Sequence, residues 1–394
     1  MLVRNPRVWL PALLSVTLIV ILTLHNTDIL KDKPHHQDVV LENVRIPHAA
    51  VNTIWDHGTV LQQDRGNVVS NSTLGFEKVF AINLPVRTDK RDSILLASKL
   101  TGFDIEYING VDPSTIADKT LPAKYTGGDA ITGGVLGCWR AHMNFIAKVV
   151  QENLASALVL EDDVDWDVRL LTQLKDFAVM SSAILNSSVT DSTKMRFENI
   201  ERRSASEQIS PYGDNWDVLF LGNCGVDIDT QKPHVVHAHD NTVPDLQHLK
   251  IYGDPNGLRL NPYPSHARLA GHAIEQTCTY AYAVTQKAAR RILLDLGLER
   301  LDRPIDHMLR DWCEGKFAEQ GPPRTCIGVL PTLFDSYRRE GAGEADSDID
   351  GDKAHIGFRE KAHTLNIRKS TRMNLRKLMD GEAPEDQYPD GKFG

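Results

Sequence analysis

None of the five cysteines of this 394-residue chain lies in a Cys-x-x-Cys pair, which removes the finger and ribbon classes of zinc site. Positive charge is in deficit too: 44 Lys and Arg against 53 Asp and Glu leave a net charge of −9, without the basic footprint that nucleic-acid binding needs. No nucleic-acid partner is therefore expected. No repeat of fixed period occurs, so solenoids and propellers drop out. What remains is ordinary for a folded chain, with 41% hydrophobic and 25% charged residues, and argues against wholesale disorder.

Long apolar runs are missing except at the start. Arg4 and Arg7 precede 17 uncharged residues, 8–24, reading "VWLPALLSVTLIVILTL". At about 1.5 Å per residue they span roughly 26 Å, close to the ~27 Å hydrocarbon layer of early secretory membranes. The expectation is a signal anchor in the endoplasmic reticulum or Golgi membrane, arginines cytosolic and the remainder lumenal; a cleaved signal peptide competes with it. In that compartment Cys138, Cys224, Cys278, Cys313 and Cys326 allow at most two intramolecular disulfides, whose pairing the spacing leaves open. Asn71 in "NST" and Asn186 in "NSS" would be glycosylation acceptors there.

Residues 25–75 carry no sustained period and read as a stem. From residue 76 the texture alternates. "KVFAINL" reads as a strand, "RDSILLASKL" as a helix stopped by Gly102, and "FDIEYING" as a second strand. Leu136, Trp139, Met143, Ile146, Ala147 and Val150 then recur at helical spacing, before the strand "ALVL". "WDVLFLG", "CTYAYAVT" and "CIGVLPTLF" read as further strands, with a helix from Pro304 to just before Gly315. Such alternation predicts an α/β fold with a mostly parallel, Rossmann-like sheet flanked by helices, over residues 76–351. The His-rich stretch 227–270 is expected as loops at the active face, and residues 352–394 as a charged tail.

At the end of "ALVL" the chain crowds five carboxylates into seven residues: Glu161, Asp162, Asp163, Asp165 and Asp167. A solvated loop is the plain reading. The C-terminal ends of strands in open α/β sheets are also where ligands bind, and hard oxygen ligands suit Mn²⁺ or Mg²⁺ shared with a phosphate. A strand-end turn can aim alternate carboxylates, Glu161 and Asp163, at one ion while Asp162 faces elsewhere, and Asp165 and Asp167 are expected to face water. An EF-hand is excluded at 163–174, since Val168 and Leu174 stand where Gly and Glu belong. The second acidic run, "DSDIDGDKAHIG", has Gly351 in place but ends on Gly357 and lacks the bidentate Glu. Cys138 and His142 share a helical face, where packing and a hydrogen-bonded imidazole are the default. Tyr280 and Tyr282 alternate and should share one face of a strand.

The ordered pieces "INLPVRTDKRD", "GGVLGCWRAH", "ALVLEDDV", "WDVLFLG", "TYAYAVTQKAARRIL" and "PIDHML" resemble glycosyltransferase family 25, which includes lipooligosaccharide and collagen galactosyltransferases. The resemblance implies a GT-A type fold, a UDP-sugar donor, usually UDP-galactose or a relative, and Mn²⁺ held by the acidic triplet, with Asp163 as ligand and Glu161 on the metal or the donor ribose. It implies transfer of a hexose to a glycan or glycoprotein hydroxyl with inversion. Asn83, Arg87, Arg91 and Asp162 are carried over to the donor side. Asp306 is the candidate base, with capping of its helix as the competing role, and Asp348 in "SDID" is the reserve. His307 is a weaker candidate for the metal shell. Two other classes stay open: a metal-dependent phosphoesterase, and a catalytically silent lumenal binding or scaffold protein. The chain departs from the family pattern at Ala141-His142, where Ser-His is common.

Overall fold

A computed structural model describes residues 68–126, 128, 131, 133–187, 193–200, 210–254, 256–317, 324–343, 347–349 and 357–391. The anchor at 8–24 and the stem up to residue 67 lie outside the described residues, as does most of the acidic run 346–357. Among the described residues no helix is long and apolar enough to cross a membrane.

A 13-stranded sheet forms the body of residues 68–391. Its strands are β1 Lys78–Asn83, β2 Glu106–Asn109, β3 Ser156–Glu161 and β4 Val164–Trp166. β5 Lys194–Arg196, β6 Val218–Gly222, β7 Gly225–Ile228 and β8 His234–His237 follow. β9 Arg268–Thr277, β10 Ala281–Thr285, β11 Cys326–Leu330, β12 Phe334–Arg338 and β13 His363–Thr364 complete it. The main path runs β2-β1-β3-β10-β6-β11-β9-β8-β5. The expected parallel character holds for β2-β1-β3, the part that carries the candidate site. Elsewhere the sheet is mixed, because β10 lies antiparallel between β3 and β6, and β9 antiparallel between β11 and β8.

Period-two alternation sends apolar side chains to two cores. Phe80, Val159, Phe220 and Tyr282 meet Trp139, Met143 and Phe145 of helix α2, Gly133–Gln151. Val79, Ala81, Leu158, Leu160 and Leu219 face the other way, onto Ile94 and Ala97 of α1, Thr88–Leu100, and Phe177 of α3, Leu170–Asn186. Helices on both faces make the α/β/α layering. α1 opens with Asp89 and closes with Lys99, each favourable to the helix dipole, and Gly102 stops it at φ 88°. α4 Gln286–Ile292 is capped by the Thr285 hydroxyl, which accepts from the Ala288 N–H. α5 runs from Ile305 to Cys313 between Pro304 and Gly315, as the sequence signals require.

Four expectations need correction. Asp165 and Asp167 do not face water; both are fully buried. Residues 363–374, read from their charge as tail, cover them: Ser370 and the Arg372 N–H donate to Asp165, and the Lys369 N–H donates to Asp167. Tyr280 and Tyr282 pack into opposite cores, because Tyr280 stands before β10 begins at Ala281 and is not part of its alternation. Within 227–270, residues 234–237 are strand β8, separated from β3 by β10, β6, β11 and β9. The remaining C-terminal helix, α6 Leu375–Met379, packs on α1.

Candidate active site at the strand ends

β1 and β3 are parallel neighbours, with Ile82 opposite Glu161, so both deliver their last residues to the same edge of the sheet. Asn83 ends β1 and is buried there. Its amide donates to Asp162 Oδ2 at 2.8 Å and to the Arg87 carbonyl at 3.1 Å, tying the β1–α1 turn to the acidic turn after β3. The Asn83 Oδ1 atom is buried without a hydrogen-bond partner. A buried unpaired acceptor costs roughly 1–3 kcal/mol, which a ligand donor or a cation would recover.

The first turn of α1 brings cations to this edge. Lys90 Nζ lies 3.2 Å from Asp162 and 3.1 Å from Asp348. Burial, the largest influence on Lys90, pulls its pKa down, but the charges of Asp163, Asp162 and Asp348 outweigh it and hold the ammonium above its usual value. Arg87 grips Asp89 with two hydrogen bonds, of 3.0 and 2.9 Å, and reaches Asp348 at 2.6 Å. Those bonds to Asp89, first of all, raise its pKa above the normal guanidinium value. Burial pushes the Asp162 carboxyl up to about 6, an effect that Lys90 and Asn83 oppose and the Asp163 charge reinforces. Asp348 goes the other way: burial resists its ionisation, yet Arg87 and Lys90 hold it below the usual carboxylate range.

Asp163 pairs with Arg338 of β12 at 3.0 Å. It also lines a pocket of about 160 Å³ together with Arg87, Lys90, Arg339, Arg372 and Tyr337. Glu161 turns toward the other core, accepting from the Thr279 hydroxyl at 2.7 Å, with His142 Nε2 at 3.5 Å. The His142 ring is fixed from behind by Tyr282, whose hydroxyl lies 3.0 Å from Nδ1. Beside Thr279, the Cys278 N–H donates to Asp306 Oδ2 at 3.0 Å, and the His307 N–H donates to Oδ1 at 2.8 Å. His307 Nε2 stands 3.9 Å from Asp306. A Cys224–Cys278 disulfide anchors that segment, and Cys313–Cys326 joins α5 to β11. Cys138 is the free cysteine, its thiol pKa raised by burial and then by the charges of Glu161, Asp306 and Asp163.

Asn83, Arg87, Glu161, Asp162, Asp163, Asp306 and Asp348 are thus linked through a chain of direct contacts and near neighbours at one edge. Arg91 is not: its guanidinium stacks on Tyr107 at 4.0 Å. Lys90, Arg338, Arg339, Arg372 and Thr279 were missed by sequence reasoning. Lys90 had a signal, being three residues after Arg87 on a helix start. Arg372 had none, for it reaches the site from about 210 residues downstream.

The donor set suits a hard divalent cation, since it consists of carboxylate oxygens plus the unpartnered amide oxygen of Asn83. The three acids are spread among separate partners rather than aimed at one point. Among the described residues, the group of three whose ligand atoms all lie within 4.8 Å of one another is Asp245, His266 and Asp390, away from this turn.

Residues 76–212 match the family model described as Glycosyltransferase family 25 (LPS biosynthesis protein). Over these residues the chain is similar to the family 25 glycosyltransferases. Relatives agree with it. Procollagen galactosyltransferase 1 of Danio rerio is 26% identical over 206 residues, 48% of this chain and 29% of the relative. A glycosyltransferase 25 family member of Anopheles gambiae is 30% identical over 120 residues, 27% of this chain and 20% of the relative. The inactive glycosyltransferase 25 family member 3 of Homo sapiens is 29% identical over 248 residues, 60% of this chain and 32% of the relative. The chain therefore spans less than a third of the length of each of these relatives. The matched segment contains Asn83, Arg87, Arg91 and the acidic turn, whereas Asp306 and Asp348 lie beyond it.

Proposed function

We propose that the protein is a Mn²⁺-dependent transferase that moves a hexose, galactose by preference, from a UDP-sugar to a hydroxyl of a glycan or glycoprotein with inversion. One observation carries the reading: an acidic strand-end turn inside the matched residues 76–212 shares Asp163 and Lys90 with a cationic pocket, a pairing suited to a metal-bound diphosphate. Glu161 and Asp163 would hold the ion, with Asp162 beside them. Bound there, Mn²⁺ supplies Lewis-acid neutralisation of charge on the departing diphosphate.

The chain's own residues divide the remaining work. Arg87 and Lys90 bind phosphate oxygens, in place of the Asp348 carboxylate they now hold. Thr279 and His142 orient Glu161. Asp306 takes the proton of the acceptor hydroxyl as its oxygen bonds to the anomeric carbon and the bond from that carbon to UDP breaks. Asp348 suits this task less, because an ion-paired carboxylate with a lowered pKa is a weak base. Two disulfides fit an oxidising lumen, and residues 8–24 supply the proposed anchor to an endoplasmic reticulum or Golgi membrane.

A silent binding role is the second reading, favoured by the long match to a human relative named inactive. Incubating the purified protein with Mn²⁺ and a panel of UDP-sugars, then measuring UDP release with and without chelator, separates the two. Sugar-dependent release that the chelator stops, and that Asp306→Asn abolishes while sparing UDP binding, is expected. UDP binding without turnover would mean the silent role, and phosphate release from simple esters would mean a phosphoesterase.

A further inference from the structure

Three residues that line the cationic pocket, Tyr337, Arg339 and Arg372, lie outside the matched residues 76–212, and Arg372 comes from farthest along the chain. Arg372 belongs to the strap that follows β13, yet its guanidinium is buried against the acidic turn. Nη1 and Nη2 both donate to the Asp162 carbonyl at 3.2 Å, and Nη1 also donates to the Val164 carbonyl at 3.0 Å. Nε donates to the Ser93 hydroxyl of α1 at 3.1 Å, and the guanidinium sits over the Tyr337 ring of β12 at 4.8 Å. One side chain thus ties α1, the acidic turn and β12 together. Among the described residues its side-chain hydrogen bonds go to neutral acceptors, two backbone carbonyls and a hydroxyl, and to no carboxylate oxygen. Its charge is felt by Asp165, Asp163 and Asp162 without a direct hydrogen bond to any of them, and the side chain lines the pocket with Arg87, Lys90 and Arg339.

We propose that Arg372 is a positioning residue for the donor site: it clamps the backbone on both sides of Asp163 and presents a fixed positive charge to a nucleoside diphosphate. This rests on the donor-site reading above. The clamp explains why the strap is anchored so heavily, with Ser370, Thr371, Arg372 and Asn374 all buried. A guanidinium serves here because its planar fork can bond two carbonyls and a hydroxyl at once while keeping its charge.

The test is calorimetric titration of UDP, with Mn²⁺ present, into wild type, Arg372→Gln, Arg372→Lys and Asn374→Ala. Asn374 holds the strap through Ser370 and Glu385 only, so its variant reports loss of strap packing without touching the turn. Losing a charge-assisted contact of this kind should weaken UDP binding by about tenfold or more in Arg372→Gln. Arg372→Lys, which keeps the charge but loses the fork, should fall between wild type and Arg372→Gln. Asn374→Ala should bind UDP within about twofold of wild type even where its melting temperature falls as far. Unchanged affinity in Arg372→Gln, or an equal loss in Asn374→Ala, overturns the inference and leaves the donor site standing. Should Arg372→Gln not fold, Arg372→Lys decides: an affinity loss greater than that of Asn374→Ala supports the inference, and a loss no greater contradicts it. Failure of wild type to bind UDP overturns the donor-site reading and this inference with it.

Discussion

Asp162 gives the acidic turn a pH-dependent charge. Its carboxyl is held up to about 6, so it is ionised above that pH and protonated below it. If it supports the metal and donor, UDP affinity in Mn²⁺ should decline as pH falls from 7 to 5, and Asp162→Asn should flatten the profile. Titrations at several pH values check this; an Asp162→Asn profile as steep as wild type assigns the decline elsewhere. A second residue-scale case is Gly134. A Cβ there would lie 2.5 Å from Ile349 Cα and 2.6 Å from the Asp348 carbonyl, both backbone atoms. Alanine in place of glycine inside an open helix gains roughly 0.5–1 kcal/mol. Here the crowding should reverse the sign, with Gly134→Ala losing about 1–3 kcal/mol and loosening Asp348 from Arg87 and Lys90. Thermal unfolding reads the sign directly. The sequence marks Gly134 only as part of a glycine-rich turn, because the segment that crowds it comes from more than two hundred residues away.

At the scale of elements, β4 and β12 set Asp165 opposite Asp335, both buried. Burial pushes Asp165 up to about 6 and Asp335 up to about 7, although Ser370 and Asn366 hydrogen-bond to them and lower both. A carboxyl whose folded pKa is raised keeps its proton in the native chain after the unfolded chain has lost it. Between pH 4 and pH 7 the native state therefore binds more protons, and this contribution to stability fades as pH rises through that window. Wild type should lose on the order of 2 kcal/mol more than Asp335→Asn across it, measured by urea unfolding at each pH. An equal loss in both would remove Asp335 as the cause. This pairing explains one failure of the sequence reading: the apolar run 157–160 marks a strand, but cannot reveal that Asp165 and Asp167 meet a strap from residues 363–374. The same limit applies to the sheet, where parallel order was legible at β1, β2 and β3 from their intervening helices. The insertion of antiparallel β10 depends on a non-local partner.

At the scale of the molecule, the C-terminal strap is structural. Thr364, Asn366, Ile367, Arg368, Ser370, Thr371 and Arg372 are buried, so deleting residues 363–394 should expose the acidic turn and end cooperative thermal unfolding. A truncated chain that melts at the wild-type temperature would contradict that. The strand-end position of the acidic turn and its family resemblance were legible from local pattern and motif order. Its cationic partners were not, because they come from three separate parts of the chain.

The central claim is that the turn from Glu161 to Asp163 is a metal-dependent donor site. Its most direct test is titration of UDP into wild type and Asp163→Asn, each with Mn²⁺ and with chelator. Wild type should bind UDP tightly only with Mn²⁺, and Asp163→Asn should lose that dependence together with most of its affinity. Equal binding by both proteins, or binding indifferent to the metal, would contradict the assignment.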